Sequence, residues 1–193
     1  HHPKKTYSCY SESGYKGASH GNLYAGRWSS DCIDGYINDS GVKDVGHRRW
    51  IFHPFNTHFG TGSTLGKTSY GFVYGYNCLV VITDEGNLNS KNFYKTHPIT
   101  WPTSGYFPTE FMHNCPWSFS LVGADFSKVK VIVKQNGVNK IVAKEPLKNG
   151  YGSNTISWII KSELNTTKPI EVALIDVYTS DGDRMNYEYE VIP

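Results

Sequence analysis

The chain has 193 residues and a formal net charge of +2, with 19 Lys+Arg against 17 Asp+Glu. No Lys/Arg stripe forms, which excludes the electrostatic footprint of a nucleic-acid binder, and no run of ~18 apolar residues occurs, which excludes a membrane-spanning helix. Fourteen tyrosines and 19 glycines, with abundant Asn, Ser, Thr and Val, favour strands and turns over helices.

Residues 1–28 show no period and read as irregular. Residues 29–40 read as a helix: Ser29 or Ser30 caps it, Asp31 and Asp34 fall in its first turns, and Cys32, Ile33, Tyr36 and Ile37 share one face. Gly41 is a natural stop. Residues 45–52 carry His47 into the apolar run Trp50-Ile51-Phe52, which Pro54 ends. Residues 58–64 are Gly/Thr-rich and extended. Residues 69–83 alternate Tyr70, Phe72, Tyr74 and Tyr76, then turn apolar from Cys78 to Ile82, the pattern of a long central strand closed by a turn at 84–87. Residues 1–85 thus form one domain. Residues 86–116 carry four X-Pro pairs, from His97-Pro98 to Cys115-Pro116, and read as an extended linker. Residues 117–193 alternate cleanly through Trp117, Phe119 and Leu121, then Val129, Val131 and Val133, with hairpin turns at Asn136-Gly137 and Asp181-Gly182. Thr155–Ile160, Ile170–Tyr178 and the stretch with Tyr187, Tyr189 and Val191 add strands, so this part reads as a small β-sandwich of immunoglobulin-like size.

Four cysteines, Cys9, Cys32, Cys78 and Cys115, contain no CxxC pair and so argue against a zinc ribbon. An even count suits two disulfides, an oxidising compartment and a secreted chain. Three connectivities are open, and short-range pairing favours Cys9–Cys32 with Cys78–Cys115; four reduced buried thiols are the competing reading. Asn38 and Asn165 head N-glycosylation sequons, relevant to a eukaryotic source. No leader peptide is recognisable, which fits a chain beginning at its mature terminus.

Six of the eight histidines lie in the first 58 residues: His1, His2, His20, His47, His53 and His58. Imidazole is both a metal ligand and an acid/base group near neutral pH. His47, in Gly46-His47-Arg48-Arg49-Trp50-Ile51, is the best single candidate; one of the two arginines after it can pair with Asp39 or Asp44.

The ordered set His20-Gly21-Asn22-Leu23-Tyr24-Ala25-Gly26, the helix through Ile33-Asp34-Gly35-Tyr36-Ile37-Asn38-Asp39, Gly46-His47-Arg48-Arg49-Trp50-Ile51 and Phe59-Gly60-Thr61-Gly62 resembles the CAP family: cysteine-rich secretory proteins, antigen 5 and pathogenesis-related proteins. The resemblance covers residues 1–83, and more loosely 101–193 as an accessory β-domain. It implies an α+β chain: a truncated CAP-like α-β-α sandwich followed by an Ig-like β-sandwich. It also implies a cleft with two histidines and two acids that holds Zn²⁺ or another divalent ion. By position His47 matches the second histidine, and His1 or His2 the first, with His1 favoured because Pro3 then matches the family. Asp39 matches the second acid. The first acid falls on Gly21, which has no carboxylate; His20 beside it can substitute, and Asn22 lies in the same cleft. CAP domains begin with a long helix before the first histidine, and this chain starts at that histidine. The bare sheet face implies a covering N-terminal fragment, a second chain or self-association.

These features favour a secreted, non-enzymatic binding protein for a lipid, protein or glycan. Two alternatives stand beside it. One is a metalloenzyme: a hydrolase, for which no Gly-x-Ser-x-Gly or His-Glu-x-x-His run is present, or a copper oxygenase using the amine and ring of His1. A minority reading takes His1 and His2 as remnants of a tag. The other is a surface adhesin whose Trp101, Tyr106, Trp158 and Tyr187 stack on sugars, the competing reading being that these rings are core.

Overall fold

The computed structural model describes residues 1–67, 69–83, 91–112 and 115–193. The expected turn at 84–87 lies outside them. Two compact units form: His1–Ile37 with His53–Leu88, and Asn38–Phe52 with Asn89–Pro193. No helix among the described residues is long and apolar enough to cross a membrane.

The first unit is built on a three-stranded antiparallel sheet. Helix α1 (Glu12–Ser19) leads into β1 (Gly21–Ala25), helix α2 (Asp31–Asn38) follows, and β2 (Gly60–Lys67) and β3 (Val73–Val80) complete the sheet in the order β1-β3-β2. Ser11 caps α1 by accepting the Gly14 N–H at 3.0 Å, with Glu12 in the first turn, where a carboxylate is favourable. Alternation along β3 gives the sheet two different faces. Gly75, Asn77 and Leu79 are buried on one, and Tyr74 and Tyr76 are exposed on the other. On the buried side the Tyr36 hydroxyl donates to Asn22 O at 3.0 Å and Asn77 Oδ1 at 3.0 Å. The Asn77 amide in turn donates to Thr61 Oγ1 and Ser63 Oγ, each at 2.9 Å, and to Gly62 O at 3.3 Å. These contacts satisfy polar groups that burial removes from water.

The second unit holds two sheets. After α3 (Gly46–Ile51) and the single turn α4 (Lys91–Tyr94) come β4 (Ile99–Trp101), β5 (Gly105–Tyr106), β6 (Trp117–Ser120), β7 (Lys130–Gln135), β8 (Val138–Asn139), β9 (Val142–Lys144), β10 (Thr155–Ile160), β11 (Ile170–Tyr178) and β12 (Arg184–Ile192). They pair as β4-β6-β10-β9 and β5-β12-β11-β7-β8. Both sheets feed one apolar core, in which Trp117, Phe119, Phe126, Ile156, Trp158, Ile170, Leu174 and Val191 are buried. Asn136 and Gly137, at φ 52° and 73°, make the left-handed pair a tight β7–β8 hairpin requires.

Several expectations are corrected. The fold is neither an α-β-α sandwich nor α+β in the sense inferred: the helices have 8, 8, 6 and 4 residues, and the chain is β-rich on three sheets. That finding replaces the truncated CAP-like sandwich with an Ig-like appendage. Residues 1–28 contain α1 and β1. Within the stretch read as a linker, β4 pairs with β6 and β5 runs parallel to β12, because X-Pro keeps a chain extended without preventing ladder bonds at neighbouring residues. The cysteines form no disulfide: Cys9, Cys32, Cys78 and Cys115 are all free thiols. Cys32 is buried in α2, Cys78 donates to Gly17 O at 3.5 Å and Cys115 to Phe111 O at 3.2 Å.

Phe119 has no exposed surface and meets Phe126 edge-on at 6.0 Å between centroids. Phe119→Ala is expected to lower unfolding stability by about 3–5 kcal/mol, read as a lower urea midpoint at unchanged slope.

Candidate functional site

His47 sits in the first turn of α3, facing a carboxylate that the chain brings back from the end of α2. Asp39 adopts φ 51°, Gly41 φ 81° and Val45 φ 46°, so the chain reverses between the two helices in three left-handed steps. For Val45, β-branched, this backbone is strained by about 1–3 kcal/mol. Complete burial of its side chain and bonds on both sides, Val45 N–H to Val42 O at 3.1 Å and Arg49 N–H to Val45 O at 2.9 Å, hold it there.

The reversal puts His47 Nδ1 2.7 Å from Asp39 Oδ1, and the Arg48 backbone N–H donates to Asp39 Oδ2 at 3.1 Å. The Asp39 side chain is 1% exposed and that of His47 33%. A carboxylate taken from water needs partners on both oxygens, and each has one here. With Nδ1–H donating to Asp39, the imidazole is fixed in tautomer and in plane, the arrangement that prepares a histidine to contact a ligand or to move a proton.

The two arginines after His47 anchor this segment. Arg48, 1% exposed, donates to Pro116 O at 2.7 Å, Ser118 Oγ at 3.0 Å and Asn38 O at 2.9 Å, and lies 5.6 Å from the Trp101 ring. Burial pulls its guanidinium down to about 10, against the opposing pull of Cys115 and Asp39. Arg49 donates to Lys148 O and Tyr151 O at 2.7 Å and to Ser153 O at 2.9 Å, with its guanidinium 3.9 Å from the Tyr151 ring centroid. An acidic partner for one of these arginines was expected. Asp39 is met by Arg48's backbone N–H, and the guanidinium bonds run mainly to carbonyl oxygens. Asp44, the other expected acid, accepts from Tyr151 Oη at 2.6 Å and Lys148 Nζ at 2.9 Å. The Ser157 hydroxyl pins Lys43 O at 2.5 Å. Sequence reasoning missed Tyr151, Lys148 and Ser157 as partners of this loop, for they lie about a hundred residues away and carry no local signal.

The other residues expected in the cleft lie in the first unit, three of them with their rings against α1. His1 Nδ1 is 2.9 Å from Ala18 O, His2 Nδ1 is 3.2 Å from Tyr15 Oη, and His20 Nδ1 is 2.9 Å from Lys16 O. Asn22 is buried in β1. Gly21 is buried where the family pattern has an acid; a Cβ there would lie 2.8 Å from Cys78 Sγ and 2.9 Å from Gly17 O, so this backbone admits no carboxylate. Among the described residues no group of three or more His, Cys, Asp and Glu is placed to hold a metal ion. Burial pushes the Cys32, Cys78 and Cys115 thiols up, which leaves them weak nucleophiles and weak ligands. Of the two sequons, Asn38 has its Oδ1 buried without a hydrogen bond, whereas Asn165 is exposed, its Oδ1 accepting from Thr167 N–H and hydroxyl. Of the aromatics read as sugar-facing, Trp158 is core, Trp101 and Tyr187 pack on the core, and Tyr106 is exposed.

No family model matches this chain, and no curated protein matches it.

Asp44 supplies a pH test. Burial alone would raise its pKa, but the bonds from Tyr151 and Lys148 outweigh that and bring the carboxyl below its ordinary value. A folded-state pKa below the unfolded one means stability that is present above the unfolded pKa and lost as pH falls through the folded one. Tyr151→Phe is expected to move the Asp44 carboxyl resonance midpoint upward. It should also destabilise the chain more at pH 7 than at a pH where the carboxyl is protonated in both states.

Proposed function

We propose that this chain is a secreted, non-enzymatic binding protein whose polar recognition element is the His47–Asp39 pair. The observation that carries the reading is the buried Asp39 carboxylate holding His47 Nδ1 at 2.7 Å while a third of the histidine side chain stays exposed. The ordered motifs that resemble the CAP family support it, and secretion rests on that resemblance and on the exposed sequon at Asn165. A divalent cation belongs to the reading as a weakly held ligand at His47. Catalytic zinc sites use three protein ligands, and the donors described here do not make a resident centre. The metalloenzyme alternatives draw less support. A zinc hydrolase activates its water on a metal held by three protein ligands, and among the described residues no group of three such donors gathers around His47. In a copper oxygenase His1 would ligate through the ring nitrogen that here faces the Ala18 carbonyl.

Titration calorimetry with Zn²⁺ tests the site. Weak binding is expected for the wild type, lost in His47→Ala and weakened several-fold in Asp39→Asn, which keeps the shape but not the orienting charge. Identical isotherms for all three would remove both the metal and the role of His47. The expected covering partner or self-association belongs to the same reading, and the exposed rings of β3 support it. A mass that rises with concentration in sedimentation would reveal self-association.

A further inference from the structure

Strand β2 is a long open edge. It bonds to β3 on one side, no strand among the described residues pairs with its other side, and all its residues but Gly66 are exposed. The first unit's other edge, β1, has Gly21 and Asn22 buried. The second unit's edge strands β4, β9, β5 and β8 have three, three, two and two residues. Short edges protect a sheet from pairing with another chain, as do prolines and charges. Strand β2 has eight residues, no proline and a lysine only at its end. The bonds of β3 show which groups of β2 are open. Gly26 N–H donates to Gly75 O at 2.8 Å and Val81 N–H to His20 O at 3.0 Å, so the odd-numbered residues along β3 bond toward β1. Their β2 partners, Thr61, Ser63, Leu65 and Lys67, therefore turn their backbone N–H and C=O outward. Among the described residues none of these N–H groups has an acceptor.

We infer that β2 pairs antiparallel with β2 of a second copy of this chain, joining two three-stranded sheets edge to edge. A row of backbone donors and acceptors at strand spacing calls for an extended polypeptide. What selects a second copy over an unrelated peptide is the sequence of β2 itself. A two-fold axis at Thr64 maps residues 61–67 onto themselves. Thr61 then faces the partner's Lys67 and Ser63 the partner's Leu65, so every outward group is used, in about eight backbone hydrogen bonds. On the other face Thr64 meets the partner's Thr64, a favourable cross-strand pair, and Gly66 meets the partner's Gly62. That glycine pair matters because the Tyr76 ring lies over Gly66, where a Cβ would come 2.9 Å from Tyr76 Cε2. Facing residues in a pair of this kind are only about 4.5 Å apart. An incoming strand therefore needs a glycine at that position, and β2 supplies one. Charge permits the pairing as well: the two copies of Lys67 fall roughly 20 Å apart, beyond the screening length of about 8 Å. An unrelated peptide takes its specificity from pockets for alternate side chains, and Gly60, Gly62 and Gly66 leave few side chains to wall one. The inference stands apart from the His47 reading and rests on the backbone edge, not on the exposed rings of β3.

Sedimentation equilibrium of the whole chain tests it, with a monomer–dimer equilibrium expected for the wild type. Leu65→Pro removes an outward N–H and leaves the β2–β3 ladder untouched. It should weaken the dimer at least about tenfold, whereas Leu65→Ala, which keeps the N–H, should retain it. Thr64→Lys and Thr64→Glu each set like charges face to face on the axis and should be monomeric alone. Mixed one to one, they should restore the dimer, a result that reads the register and that a misfolded variant could not imitate. Zn²⁺ titration of Leu65→Pro should match the wild type, so this proposal and the His47 reading fail separately. A wild type that stays monomeric at about 100 µM, a dimer unchanged by Leu65→Pro, or lysine and glutamate variants that stay monomeric when mixed would each overturn the proposal.

Discussion

A guanidinium removed from water must find its hydrogen bonds elsewhere, and leaving them unmade is costly. Arg48 and Arg49 meet that demand with backbone carbonyls from the loops before β6 and before β10. The arginines therefore do more than decorate a helix of six residues, too short to be stable alone. They fasten it, and the loop leading into it, to the second unit's sheets. His47 is held by neighbours on both sides: Asp39 meets its ring, and the next two residues anchor its backbone. Removing one arginine would leave several carbonyls unpaired together, so the energetic effect would be cooperative rather than one bond at a time.

That anchoring separates two kinds of surface. The Asp39–His47 pair joins a buried carboxylate to a partly exposed imidazole in a confined setting. The sheet face that carries Tyr74 and Tyr76 is the reverse, open and without a charged residue at its register positions.

Legibility in the sequence followed the strength of the periodic signal. Thr155–Ile160 and Ile170–Tyr178 were read with the bounds they have as β10 and β11. The first is a compact apolar run and the second alternates between core and solvent. Helix α2 showed itself through Cys32 and Tyr36, one turn apart and both buried. Helix α1 buries no residue, so it has no apolar stripe to read. Strands β4 and β5 are three and two residues long, shorter than any alternation can register, and the prolines around them argued for a connection. At the candidate site both members of the pair were named, because Gly-His-Arg and a preceding aspartate are local features. The arginines' carbonyl partners were invisible for the opposite reason. The cysteine count misled since evenness says nothing of proximity: Cys9 is exposed while Cys32 is buried.

The Asn77 amide has a consequence for strand alignment. β2 is an edge strand rich in glycine, and such a strand has few side chains to tell one alignment from the next. What distinguishes the native alignment is polar: Thr61 and Ser63 hydroxyls converge on one amide that Tyr36 holds from the other side. A slip of two residues would keep every side chain on its proper face and most ladder bonds intact, yet it would place Ser63 and Leu65 where Thr61 and Ser63 belong. Asn77 thus works as a peg in a ratchet, and the fidelity of an otherwise featureless edge depends on one carboxamide.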